Sequence, residues 1–325
     1  MRRLRVGLLG CGGIGGRHAG AVKSLSDRME LVACCGRDLE RTRTFAQAHG
    51  GEAFVDLDRM LDEGMDLLIA TLPPYNRHGE IEHAAARGVH LLIEKPIALD
   101  MQSAIKMVDV VEAAGVVAAI GFMYRFGDAV RRWRTLDTGP VGLYVGGYYC
   151  NALHAHWWRK RQLSGGQILE QAIHQIDLIR HLVGEPDSVY ARYANLFHGD
   201  VPDYDVEDVS ATLFGWDDGR IASLTASNIA IPGVWHKEWT IMAKGMTGRF
   251  QSWNEALLTR TTGDGAAEDV AGTTDPFVAQ LADVAEAIVE KRAPYIPLSE
   301  GAKTLRLALA AVQSGKERRE LRLAD

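Results

Sequence analysis

The sequence predicts an α/β protein: a doubly wound parallel sheet at the N-terminus, then an α+β domain on a mostly antiparallel sheet. Three observations carry this reading. Up to about residue 120, short apolar runs alternate with helical periodicities, the pattern of a parallel sheet covered on both faces. A glycine-rich turn follows the first apolar run directly. Beyond residue 122 the runs become short and β-rich, with only a few helices among them.

The elements follow in order. Residues 5–9 read as a short apolar strand, 13–24 as a helix, 30–35 as a second strand and 39–48 as a second helix. The apolar run 66–70 precedes a helix from about 77 to 87, and 89–93 is another buried strand. Over 101–114 the spacing is helical, with Ile105, Val108 and Val111 on one face, and 116–121 closes the series. A further helix over 126–135 is ended by Thr138-Gly139-Pro140. Strands are then expected over 143–150, 188–194, 206–215, 220–227, 237–243 and 249–253, with Asp217-Asp218-Gly219 as a turn between two of them. Helices over 168–183, 276–290 and 301–313 interrupt or close this region. The expected domains are 1–121 and 122–325.

The 325 residues suit two domains of about 100–200 residues each. Asp and Glu number 42 against 36 Lys and Arg, an acidic balance that argues against a general nucleic-acid binder. No apolar run approaches the roughly 18 residues of a membrane span. Met1-Arg2-Arg3-Leu4-Arg5 imitates the start of a signal peptide, and Leu8-Leu9-Gly10-Cys11 a lipoprotein cleavage site. The apolar stretch 6–9 is too short for an h-region of about 7–15 residues. Cys11, Cys34, Cys35 and Cys150 form no C-x-x-C pair and read as small residues of a reducing compartment, so a cytoplasmic location is expected.

Gly10-Cys11-Gly12-Gly13-Ile14-Gly15 is G-x-G-x-x-G between a strand and a helix, the context of a dinucleotide site. The first glycine allows the tight turn, the second lets backbone approach a pyrophosphate, and the third lets helix pack on strand. Gly10, Gly12, Gly13, Ile14 and Gly15 are therefore candidate cofactor contacts. The second strand ends in Gly36-Arg37-Asp38. An NAD enzyme usually carries an acidic residue there to hold the ribose hydroxyls. Gly36 removes that carboxylate, and Arg37, with Arg41 one turn on, offers charge to a 2′-phosphate. NADP is favoured over NAD. The alternative is Arg37 as a solvated charge and Asp38 as a helix cap.

Thr71-Leu72-Pro73-Pro74-Tyr75-Asn76-Arg77-His78 shapes a loop at the carboxyl end of the third strand, where ligands bind in such sheets. Thr71, Leu72, Pro73 and His78 are candidate cofactor contacts, with His78 in the first turn of the next helix and equally readable as a cap. Glu94-Lys95-Pro96 ends the fourth strand and puts an ammonium at the active edge of the sheet. Further on, a Gly165-Gly166 turn leads to Glu170 and His174, four apart and so on one helix face, with Asp177 continuing it. A carboxylate beside an imidazole fixes its tautomer, the arrangement of a general base. Cys150, His154 and His156 lack a tetrahedral ligand set, so no metal is expected.

Taken in order, Gly10 to His18 (G-x-G-x-x-G-x-x-H), the Glu94-Lys95-Pro96 triplet and the glycine turn before Glu170-x-x-x-His174 resemble the Gfo/Idh/MocA oxidoreductase family, whose members include glucose-fructose oxidoreductases and inositol dehydrogenases. The likeness runs over nearly the whole chain, including residues 121–126 at the domain junction. It implies a Rossmann domain for 1–121 and, for 122–325, a substrate-binding and oligomerising α+β domain whose open antiparallel sheet commonly supports a dimer or tetramer. It implies a cis Lys95–Pro96 bond that aims Lys95 at substrate, and Glu94 on the nicotinamide ribose. The chain departs from the family in having Glu170 for a frequent Asp and Ala172 for a frequent Gly. Trp157-Trp158-Arg159 lies where relatives place a loop near nicotinamide and substrate; the tryptophans read equally as sugar-stacking or as core. Tyr124, Arg125, Trp157, Trp158, Arg159, Lys95 and His174 are the candidate substrate contacts, and Lys95, His174 and Glu170 the catalytic group.

The expected activity is an NAD(P)-dependent oxidoreduction at a secondary alcohol or ketone of a sugar, sugar derivative or cyclitol. The rival readings are a nicotinamide-dependent glycoside hydrolase working by transient oxidation and elimination, and a non-catalytic dinucleotide sensor. The latter would be expected to lack Lys95 or His174.

Overall fold

A computed structural model of the chain describes residues 2–151, 153 and 155–323. It divides into two compact units: Met1–Met123 with Asp275–Ala302, and Tyr124–Thr274 with Lys303–Asp325.

The first unit runs β1 (Leu4–Leu9), α1 (Gly13–Ser24), β2 (Met29–Cys35), α2 (Leu39–His49), β3 (Glu52–Phe54), α3 (Leu57–Asp62), β4 (Leu67–Ala70), α4 (Glu80–Ala86), β5 (His90–Ile93), α5 (Met101–Ala114) and β6 (Ala118–Ile120). The six strands form one parallel sheet in the order β3-β2-β1-β4-β5-β6. Val6, Leu8, Leu67 to Ala70 and Leu91 to Ile93 are fully buried, which is why these strands read as unbroken apolar runs. The strand order reverses between β1 and β4, so the crevice for a ligand opens at their carboxyl ends. Asp38, Asp56 and Asp100 cap α2, α3 and α5 by accepting first-turn N–H groups.

Two expectations need correction here. The helix expected from 77 starts at Glu80, because Pro74 begins a single 3-10 turn and Gly79 follows at φ 103°. Residues 275–302 belong with this unit rather than with one continuous domain over 122–325. Phe277, Leu281, Val284 and Ala285 of the helix Pro276–Glu290 pack into the core formed by Ala19, Val22 and Met29. Amphipathic spacing marks such a helix but does not say which sheet it covers.

The second unit contains α6 (Asp128–Arg134), β7 (Val141–Tyr149), α7 (Arg161–Ser164), α8 (Gln167–Glu170), α9 (Ile173–Leu182), β8 (Ser188–Ala194), β9 (Val209–Gly215), β10 (Ile221–Ser227), β11 (His236–Ala243), β12 (Met246–Phe250), β13 (Glu255–Arg260) and β14 (Ala267–Ala271). After α10 (Pro276–Glu290) come α11 (Leu298–Glu317), which passes from the first unit into the second, and the short β15 (Leu321–Arg322). Nine strands form a sheet in the order β14-β13-β12-β11-β7-β10-β9-β8-β15. All neighbours are antiparallel except β7 and β10. One face buries Tyr144, Phe214, Leu224, Trp239 and Ile241, while Val145, Leu213, Ile221, Met242 and Leu257 are exposed on the other. The expected helix 168–183 is two helices, α8 and α9, with Gln171 and Ala172 between them.

Among the described residues no cluster of His, Cys, Asp and Glu could hold a metal, and no helix is long and apolar enough to cross a membrane. His154, one of the residues weighed as a ligand, lies outside the described residues.

Candidate active site

In the first unit the glycine turn sits at the β1 end of the crevice. Gly10 has φ 105°, and a side chain there would meet Thr71 Oγ1 at 2.5 Å. A Cβ on Gly15 would stand 2.2 Å from the Gly10 carbonyl oxygen, so α1 can seat on β1 only without one. Gly12 and Gly13 are different: a Cβ on either meets no atom of the described residues within 4 Å. Gly12 is also the N-cap of α1 and gives its first-turn N–H groups no side-chain acceptor. Open space in front of uncapped helix N–H groups fits a pyrophosphate. Ile14 is exposed on that first turn, and Leu72 and Pro73 are half-buried beyond β4. The Thr71 hydroxyl turns inward to the carbonyls of Leu9 and Gly10 (3.1 and 2.8 Å), tying β4 to β1.

At the end of β2, a Cβ on Gly36 would lie 2.5 Å from Thr42 Oγ1, which donates to the Asp38 carbonyl at 2.7 Å. An acidic residue at 36 therefore has no room unless Thr42 moves. Arg37 and Arg41 are exposed beside it. Asp38 caps α2 through the Arg41 N–H at 2.9 Å, so the capping alternative holds for Asp38. His78 is exposed and lies ahead of α4, not inside it; its backbone N–H donates to Glu80 at 2.8 Å.

Lys95 follows β5, is half-buried, and its bond to Pro96 is cis. Glu94 accepts from His18 Nε2 at 2.8 Å and from the Lys95 N–H at 3.1 Å. Burial pushes the Glu94 carboxyl up, but the His18 hydrogen bond and the nearby charges of His18 and Lys95 outweigh it and hold the group below its ordinary value. A Cβ on Gly121 would come within 3.0 Å of this carboxylate, so the bare glycine makes room for it. His18 is fully buried and meets Phe277 edge-on at 5.1 Å.

In the second unit, His174 opens α9 and is buried, with its ring stacked on Tyr124 at 4.4 Å and 15°. Trp253 stacks on Tyr124 as well, at 4.7 Å. Lys237 Nζ lies 5.3 Å from the ring centres of both Trp253 and Tyr148. Glu170 ends α8 and accepts from Trp158 Nε1 at 2.7 Å. Burial, then neighbouring groups including the Glu170 charge, push the Tyr124 and Tyr148 hydroxyls far up, so both stay neutral hydrogen-bonding groups.

Two family models match the chain: an oxidoreductase family with an NAD-binding Rossmann fold over residues 4–122, and a GFO/IDH/MocA C-terminal domain over residues 138–251. The chain belongs to the GFO/IDH/MocA family. Inositol 2-dehydrogenase of Rhizobium meliloti is 29% identical over 343 residues, 99% of this chain and 99% of that one. Glucose-6-phosphate 3-dehydrogenase of Bacillus subtilis is 30% identical over 122 residues, and the match spans 38% of this chain but only 34% of the relative's length. A solved levoglucosan dehydrogenase in complex with NADH and levoglucosan has the same fold, with a TM-score of 0.92 at 19% identity and all of both chains covered.

Within this GFO/IDH/MocA protein several residues expected at the substrate make contacts inside the second unit. Trp158 is 3% exposed in a small core with Tyr204 and Val206, and its N–H goes to Glu170. Arg125 is buried and its fork closes on Asp177 at 2.8 and 2.6 Å. Tyr124 is 2% exposed and supports the His174 ring from below. Trp157 is half-buried against the same core as Trp158, and Arg159 Nε donates to the Leu153 carbonyl at 2.8 Å. The shared helix face argued for Glu170 and His174 does not exist, because the helix breaks between them. His18, the last residue of the G-x-G-x-x-G-x-x-H motif, grips Glu94. Its place eight residues after Gly10, on the buried side of α1, was the available signal. Trp253 and Lys237 carried no sequence signal at all.

Proposed function

We propose that this family member is a nicotinamide-dependent oxidoreductase that moves a hydride between the cofactor and a secondary alcohol or ketone of a sugar, sugar derivative or cyclitol, with NADP(H) preferred. The observation that carries it is Lys95, set at the carboxyl end of a Rossmann strand by a Glu94 that His18 holds in place. In the oxidising direction His174 takes the hydroxyl proton, and the Lys95 ammonium donates to the same oxygen as it becomes an alkoxide. The nicotinamide, when bound, supplies the two-electron acceptor for the hydride. Gly12 and Gly13 leave space in which a pyrophosphate would be held, with Ile14, Leu72 and Pro73 as further residues that would contact the cofactor. Tyr124 backs the imidazole and Glu170 tunes its surroundings. A screen of polyols and keto sugars with both cofactors, read by nicotinamide absorbance, tests the activity.

The preference for NADP(H) rests on the filled space at Gly36 and the exposed Arg37 and Arg41. Arg37→Ala is expected to weaken NADP(H) by a charge-assisted contact of roughly 1.5–3 kcal/mol and to leave NAD(H) nearly unchanged. Equal losses for both cofactors, measured by nucleotide fluorescence titration, would show that Arg37 does not read the 2′-phosphate.

We also propose a homodimer or homotetramer formed through the open sheet face. Val145, Leu213, Ile221, Met242 and Leu257 are exposed there on five strands, an apolar surface of the kind that marks an interface. Light scattering at micromolar concentration should return a multimer, and a monomer would refute the assembly. The cytoplasmic location stays part of this reading. It is supported by the buried thiols of Cys34 and Cys35, which burial pushes up to about 12 and about 11.

A further inference from the structure

Arg77 lies in the segment between β4 and α4, where the sequence assigns it no role. Its side chain is 2% exposed. Nη2 donates to the carbonyl of Glu94 at 2.5 Å and to that of Pro96 at 3.2 Å, the carbonyls on either side of Lys95. The nearest acid is Glu80, also buried, 3.7 Å from Nη1, and its other oxygen takes the His78 N–H. Burial pushes the guanidinium down, against the pull of Glu80 and Glu94. Nε and Nη1 are buried and have no hydrogen-bond acceptor among the described residues.

A guanidinium buried with two idle nitrogens is a poor bargain if neutralising Glu80 were its only task, because unmade hydrogen bonds cost free energy. What it does satisfy is the pair of carbonyls flanking Lys95. The Lys95 N–H is meanwhile taken by Glu94, and Glu94 by His18. The main chain around Lys95 is thus held at its N–H, at the carbonyl before it and at the carbonyl of the next residue. We propose that Arg77 is a positioning residue for Lys95, fixing the Glu94–Lys95 peptide plane and, past the proline, the Pro96–Ile97 plane, so that the ammonium meets the substrate oxygen in one orientation. This rests on the reading of Lys95 as the group that stabilises the alkoxide.

The test uses the full chain with Arg77→Met and Arg77→Lys. Backbone hydrogen exchange reports order at Lys95 and Ile97, and steady-state kinetics with NADP+ and the best polyol of the screen report function. Arg77→Met should speed exchange at those two amides about tenfold or more while β5 stays protected. It should lower kcat roughly 10–100-fold, the scale of a small misplacement, and leave the KM for NADP+ within about threefold. Arg77→Lys keeps the charge but reaches one carbonyl at a time, and should recover part of the kcat. Unchanged exchange at Lys95 and Ile97, or an unchanged kcat, overturns the proposal. If Arg77→Met fails to fold, Arg77→Lys decides alone, with the same effects in smaller size expected. If Lys95→Ala keeps full turnover, the catalytic reading of Lys95 has failed instead, and the exchange data still say separately whether Arg77 orders the segment.

Discussion

Alanine in place of Lys95 or His174 is expected to cut turnover by about 10²–10⁴-fold in each case, the usual worth of a positioned acid–base group. Both variants should fold and bind cofactor. Lys95 is half-buried on a segment whose main chain is fixed by Glu94 and Arg77, so its side chain is not what holds the strand end. His174 stacks on a Tyr124 that Trp253 also supports. Glu170→Gln should cost less and shift the pH profile, because it changes charge beside the site rather than removing the proton acceptor. It keeps an oxygen for the Trp158 N–H, so that packing survives. Kinetics at saturating cofactor, with nucleotide binding measured separately, check the set. Full turnover in either alanine variant removes that residue from the mechanism.

The second large effect is on stability. Asp177 and Arg125 form a bidentate pair inside the second unit, with side chains 1% and 6% exposed. Thr304 donates to Asp177 at 3.2 Å and accepts from Arg180 at 2.7 Å, extending the network. Removing one partner strands a buried charge, so Arg125→Met should cost about 3–5 kcal/mol in chemical denaturation. Replacing both, as Arg125→Met with Asp177→Leu, should recover much of that, since well-packed apolar groups can substitute for a buried pair. A loss below about 1 kcal/mol in the single variant would mean the pair is far better solvated than its burial indicates. Arg125 adjoins Tyr124 in the chain, the residue whose ring stacks on His174.

How much of this was legible in the sequence depended on the range of the signal. The strand-turn-helix at Gly10 to Gly15 was readable because the tight turn at Gly10 and the helix packing at Gly15 are local demands that only glycine meets. The first sheet was readable because strands buried on both faces stay apolar throughout. The break after Glu170 was not, since no glycine or proline marks Gln171-Ala172 and the apolar spacing continues across it. Strands β3 and β14 were missed for a related reason: β3 is three residues long, and β14 is charged and exposed at the sheet edge. The partners of Trp158, His18 and Arg77 are set by tertiary contacts at 12, 76 and 17 residues' separation, which no local pattern encodes.

We propose hydride transfer to or from a polyol, with Lys95 and His174 as its acid–base groups. The most direct measurement is nicotinamide absorbance with purified protein, NADP+ or NAD+, and a panel of sugars and cyclitols, run in parallel on the wild type, Lys95→Ala and His174→Ala. Net reduction of cofactor by at least one polyol is expected, faster with NADP+ at low concentration and lost in both variants. Release of free sugar from a glycoside without net cofactor change, or reduction that persists in either variant, would contradict it.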